Sequence, residues 1–110
     1  MKRNPLLPLT ETTYYIMLAL QQPAHGYLIM QKVEEMSLGD VRIAAGTLYG
    51  AIENLLKHQL IERIESNDSS DSRRKVYALT DKGFQVLQLD AQRMSHMTSL
   101  FKEENTVEEI

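Results

Sequence analysis

The sequence predicts a mainly α-helical domain with one small β-hairpin and a long C-terminal helix. Three observations predict it. Apolar residues recur at helical spacing in four segments separated by turn formers. A polar stretch, Ser66 to Ser72, divides two short segments with the composition and alternation of strands. The last helical segment is apolar over far more of its circumference than one small domain can cover.

Taken in order, residues 1–8 contain Pro5 and Pro8 and read as a short arm. The first helix should start after Thr10, a good N-cap, with Glu11 well placed in the first turn, and stop before Pro23. Its middle, Tyr14 to Leu20, is apolar all round, which predicts a central helix with neighbours on several sides. The second helix is expected over Gly26 to Met36, with Ile29, Met30, Val33 and Met36 as one buried stripe. Ser37 to Asp40 reads as a turn, and Val41 to Ile43 as a first short strand.

The third helix is expected over Thr47 to His58, entered through Gly46. Leu48, Ile52, Leu55 and Leu56 fall on its core face; Gly50, Glu53, Asn54 and Lys57 lie opposite, flanked by Thr47 and Tyr49. Leu60 to Glu65 and Arg73 to Leu79 are the two arms of the hairpin. Helix, strand, polar loop and strand in that order describe a winged helix-turn-helix.

Thr80 is the expected cap of the final helix, Asp81 to Phe101. From Phe84 to Phe101 its apolar positions cover about 220° at 100° per residue, interrupted by Asp90, Arg93 and Thr98. A helix docked on one small domain needs about 100–140°. The excess calls for a second copy of the chain, since no element is left to cover it. Val86, Leu89, Arg93, Met97, Leu100 and Phe101 are therefore the expected dimer interface. Residues 1–80 form the winged-helix unit in this reading, and 81–110 the dimerisation helix with an acidic tail, frayed from residue 102.

Composition bounds the chemistry. With 43% apolar and 25% charged residues the chain has an ordinary globular balance, enough for one domain. The absence of cysteine excludes disulfides, thiolate metal sites and a cysteine nucleophile. The longest apolar run, Tyr14 to Leu20, is far short of the ~18 residues of a membrane span. No signal-peptide pattern follows Lys2 and Arg3, so the cytoplasm is the expected compartment. The net charge of −3 belongs to residues 81–110; residues 1–80 hold nine basic and nine acidic groups. Overall acidity thus neither supports nor excludes a polyanionic partner, because local clustering decides.

The case for DNA rests on the third helix and the hairpin together. Thr47, Gly50 and Asn54 are small or hydrogen-bonding groups on the outward face, as a helix entering a groove requires. Gly50 costs ~1 kcal/mol relative to alanine mid-helix, and close approach to a duplex explains it; a neutral surface glycine is the plainer alternative. Arg73, Arg74 and Lys75 sit at the tip and return of the wing, able to reach phosphates or the minor groove. His25 has two readings, a phosphate contact at the start of the second helix or a polar cap. Tyr49 divides between packing and phosphate contact, while Tyr77 reads as core.

The stretches LTETTYYIMLAL from Leu9, HGY from His25, AGTLYGAIENLLKHQLIE from Ala45 and DSRRKVYALTDKG from Asp71 closely resemble the PadR-like family of bacterial transcription regulators. The resemblance spans Leu9 to Gly83 in order and spacing. It implies a winged-helix regulator, mostly of the repressor kind, that dimerises through its C-terminal helix and binds a palindromic operator. It implies that Thr47, Tyr49 and Gly50 lie on the DNA-facing helix and Arg73, Arg74 and Lys75 on the wing. The chain resembles the short type, with a single C-terminal helix. Some family members are released by aromatic compounds or drugs, which implies an effector at the dimer interface. Met94, Met97 and Phe101 read either as interface packing or as the lining of such a pocket, without a tryptophan to stack on.

No enzyme, cofactor or metal is expected. His25, His58 and His96 are widely separated and lack zinc-ligand spacing. Asn67 to Asp71 lacks the glycine and distal glutamate of a calcium loop, and Gly46 to Gly50 lacks the ending of a phosphate loop. The alternative to a DNA-binding regulator is a winged-helix module that binds protein. A gel shift against the upstream region of its own gene separates the two.

Overall fold

The computed structural model describes residues 3–65 and 75–105, with side chains up to Phe101. Its elements are α1 (Glu11–Ala19), β1 (Ala24–His25), α2 (Gly26–Met36), α3 (Ala45–Lys57), β2 (Ile61–Ile64), β3 (Val76–Leu79) and α4 (Asp81–Asn105). The fold class is the expected one: four helices, a small antiparallel sheet and a long final helix.

Thr10 caps α1 by accepting the Thr13 amide at 3.1 Å. Ile16, Met17, Ala19 and Leu20 are buried while Tyr14, Tyr15 and Leu18 pack at the margin, so α1 is the central helix its all-round apolarity predicts. The arm does not hang free, because Leu6, Leu7 and Leu9 pack against the core. On α2, Ile29 and Val33 are buried and Met30 is half-buried, but Met36 is exposed at the last turn, where the core has ended.

Two expectations need correction at the α2–α3 connection. Val41 to Ile43 forms no strand. Ser37 occupies its backbone instead: the Val41 amide donates to Ser37 Oγ at 2.9 Å, and Ser37 Oγ donates to the Val41 carbonyl at 3.3 Å. The third strand is β1, in the link before α2, giving the order β1-β3-β2 with Ala24 opposite Tyr77. In addition, α3 begins at Ala45, with Ala44 as a cap that makes no side-chain bond. Gly46 therefore lies inside the first turn.

Leu48, Ile52 and Leu55 bury the inner face of α3, whereas Leu56 lies at the edge and is exposed. In the hairpin β2 and β3 pair from Ile61–Leu79 to Ile64–Val76. Thr80 caps α4 by accepting the Gly83 amide at 3.0 Å. Thr80 also donates through its hydroxyl to the Gln59 carbonyl at 2.7 Å and through its amide to the Leu60 carbonyl at 3.1 Å. A Cβ at Gly83 would land on that Leu60 carbonyl oxygen. The start of α4 is thus bolted to the base of the wing.

The helix runs one turn beyond Phe101, to Asn105. Up to Phe101 its buried positions, Gly83, Val86, Leu87 and Asp90, all lie in the first half. Val86, expected at the dimer interface, is 1% exposed and belongs to the chain's own core, as does Leu87. Phe84, Leu89, Met97, Leu100 and Phe101 are exposed.

Candidate nucleic-acid interface

The outer face of α3 is open. Thr47, Gly50, Asn54 and Lys57 are exposed and fall within about 80° of one another at helical spacing. Among the described residues, nothing outside the neighbouring turns of the helix itself lies within 4 Å of where a Cβ would stand at Gly46 or Gly50. Neither glycine is required by the packing of this chain. With Ala44 supplying no side-chain cap, the start of α3 carries a local excess of positive partial charge.

Tyr49 lies to one side of this face. A Cβ at Gly26 would stand 2.6 Å from its hydroxyl, so the absence of a side chain at Gly26 is what admits the ring against α2. Beneath it Tyr77 is buried, as the sequence suggests. Burial, then the Tyr49 phenol, raises the Tyr77 hydroxyl above its ordinary value of 10.0, against a smaller opposing pull from Arg63. Arg63 is the cross-strand partner of Tyr77, which puts an exposed cation on β2, the strand that packs on α3.

His25 is the N-cap of α2, where its Nδ1 accepts the Leu28 amide at 3.3 Å. One ring nitrogen is therefore engaged in capping. Lys75, just before β3, is exposed. Arg73 and Arg74, the rest of the expected wing cluster, lie outside the described residues. The structure thus brings Thr47, Gly50 and Asn54 onto one surface, sets Tyr49 at its flank against α2, and gives His25 a structural bond.

Reading residues one at a time missed three groups. Asp90 looks like a polar break in an apolar arc, yet it is 1% exposed. Its Oδ1 pairs with Arg93 Nε at 2.6 Å and its Oδ2 accepts the Leu9 amide at 3.3 Å, tying the arm to α4. Arg93, expected at the dimer interface, is thus held within its own chain. An acid and a base three positions apart inside an apolar arc were the available signal. Tyr27, which the HGY resemblance marks at the start of α2, and Arg42, in the turn before α3, are both exposed, and Arg42 carried no signal.

A groove of about 460 Å³ runs between α1 and α4, lined by Leu9, Glu11, Tyr14, Tyr15, Leu18, Asp90 and Met94. Burial, and then the Asp90 carboxylate, raises the Tyr14 phenol above its usual value. No group of metal-ligating side chains occurs among the described residues, and no helix among them is long and apolar enough to cross a membrane.

Comparison with known proteins agrees with this geometry. The model of the transcriptional regulator PadR-like family matches residues 16–89. A PadR family transcription regulator from Clostridium difficile superimposes with a TM-score of 0.73 at 27% identity, covering 86% of this chain and 97% of that one. A PadR-like transcription factor from Bacteroides fragilis gives 0.63 at 28% identity, covering 86% and 87%. An uncharacterized protein in a transposon of Streptomyces fradiae is 30% identical over 88 residues; they cover 80% of this chain but only 24% of that relative.

Proposed function

The chain belongs to the PadR-like family of transcriptional regulators, and from that premise we propose that it is a homodimeric, sequence-specific DNA-binding repressor acting on a pseudo-palindromic operator. The observation that carries the reading is the outward face of α3, where Thr47, Gly50 and Asn54 stand exposed and where, among the described residues, nothing crowds Gly50. Two such helices in successive major grooves, ~34 Å apart, account for the bare face. Residues 1–80 then read DNA and residues 81–110 dimerise.

Dimerisation is supported by α4. Leu89 in its first half and Met97, Leu100 and Phe101 in its second are exposed, and burying about half of each such side chain favours association. In this reading Val86 is no part of the interface, and Arg93 serves it by orienting Asp90. Thr47 and Asn54 read bases; Arg73, Arg74 and Lys75 hold backbone; Tyr49 supports the helix and touches phosphate with its exposed edge. An effector acts in the groove between α1 and α4, where it would bear on the direction of the dimer helix.

Selection of bound sequences from random DNA, paired with sedimentation, tests the proposal. A palindromic consensus and a dimer at micromolar concentration are expected. The double substitution Met97→Glu and Leu100→Glu should give monomers and abolish specific retardation. A folded wild-type monomer that retards no duplex would refute the reading.

A further inference from the structure

We infer that Arg42 is a phosphate-binding residue of this interface and that Glu34 restrains it, so that the pair sets how strongly the regulator holds any duplex. The inference rests on the DNA-binding reading above. Arg42 lies in the turn before α3, two residues ahead of the Ala44 cap. Its side chain is 76% exposed, and its Nε stands 3.7 Å from Glu34 Oε1, itself mostly in solvent. That separation is too long for a hydrogen bond, and exposed pairs of this kind are weakly held. The guanidinium is therefore free to exchange a carboxylate for a phosphodiester, which its planar fork fits better.

Position supplies the rest. A duplex that receives the start of α3 in its major groove brings one sugar-phosphate strand across the elements flanking that start. Here those elements are the α2–α3 turn and one face of α2 along its length, which meet in a cleft lined by Tyr27, Gln31, Glu34, Glu35 and Arg42. Tyr27 and Gln31 are exposed and can donate to a phosphate oxygen. The one cation of α2, Lys32, reaches instead toward the Ala19 carbonyl at 3.5 Å. Among the described residues Arg42 is thus the one basic group facing this cleft. Glu34 and Glu35 oppose a polyanion there, and the structure already sets Glu34 against Arg42. Removing the carboxylate should strengthen binding, a sign that a merely structural ion pair would not give.

The test is the salt dependence of affinity, from about 50 to 300 mM, on operator and random duplexes. The full-length protein is compared with Arg42→Gln, Arg42→Lys, Glu34→Gln and the Arg73→Ala/Arg74→Ala double variant. Arg42→Gln should lower the slope of log affinity against log salt by about 0.9 and weaken both duplexes about tenfold at the lower salt. Arg42→Lys should keep the slope with a smaller loss. Glu34→Gln should tighten binding about two- to fivefold, and less when Arg42 is already glutamine. An unchanged slope in Arg42→Gln, while the wing double variant loses slope, would overturn the assignment and leave DNA binding intact. A lowered melting temperature with an unchanged slope would make the pair a structural pin and overturn it equally. If the wild-type protein binds no duplex, the DNA reading itself falls.

Discussion

Replacing Gly83 with alanine separates two physical accounts of the start of α4, because they predict opposite signs. Helix propensity alone favours alanine over glycine by ~1 kcal/mol inside a helix. The structure says otherwise: the added methyl would overlap the Leu60 carbonyl oxygen, a backbone atom that cannot rotate away. Relief requires α4 to move off the wing base. Such movement stretches the Thr80 amide bond to Leu60 at 3.1 Å and the Thr80 hydroxyl bond to Gln59 at 2.7 Å. Each is worth about 1 kcal/mol net. It also loosens Leu60 and Val86, both buried, at a further 1–2 kcal/mol or so of lost packing. Against the propensity gain, the net destabilisation comes to about 2–3 kcal/mol. For a chain of this size that lowers the melting temperature by roughly 10–20 °C. Chemical denaturation should be run at one protomer concentration, since the proposed dimerisation would make stability concentration-dependent. A Gly83→Ala protein as stable as wild type, or more so, would refute the reasoning.

Three further outcomes are expected. Gly50→Ala should raise stability by up to ~1 kcal/mol, since nothing crowds the site, yet weaken operator binding in a gel-shift titration; unchanged affinity would remove Gly50 from the interface. Asp90→Ala should destabilise by about 2 kcal/mol, short of the loss for a fully buried pair because Arg93 keeps partial access to solvent, while Asp90→Asn, which retains an acceptor for the Leu9 amide, should cost less in the same denaturation assay. Tyr77 holds its proton more tightly folded than unfolded, so its contribution is complete below pH 10.0 and lost as pH rises through the raised value; Tyr77→Phe should flatten the alkaline decline of the melting temperature.

The fold was legible wherever a local rule had no competitor. Thr10 and Thr80 cap as their side chains dictate, and α2 spans the residues its periodicity marks. The misreadings lie where a tertiary bond decides. Val41 to Ile43 has the composition of a strand, but Ser37 takes the amide and carbonyl of Val41 first. Ala24 and His25 are too few for any alternation to register, and they become a strand only because β3 has a free edge beside them. At the site, the small outward residues of α3 could be read from the helical projection, whereas the functions of Gly26 and Gly83 could not. Both glycines admit groups distant in sequence, the Tyr49 hydroxyl and the Leu60 carbonyl. Asp90 was obscured for the same reason, since its partners are an arginine one turn away and an amide in the arm.

In the proposed dimer these junctions would act through leverage. A 25-residue helix is about 37 Å long. A rotation of 5° at its base displaces the far end by roughly 3 Å, comparable to the rise of one base pair in the ~34 Å between successive major grooves. In the proposed dimer the direction of α4 relative to α3 therefore sets whether both reading heads can engage together. Two features fix that direction. The contact of Gly83 with Leu60 is rigid, backbone against backbone. The bond from the Leu9 amide to Asp90, at 3.3 Å, is longer and borders the groove lined by Tyr14 and Met94. A molecule entering that groove would meet the softer of the two restraints, so release of DNA should proceed through the Asp90 tie while the Gly83 joint serves as the fulcrum.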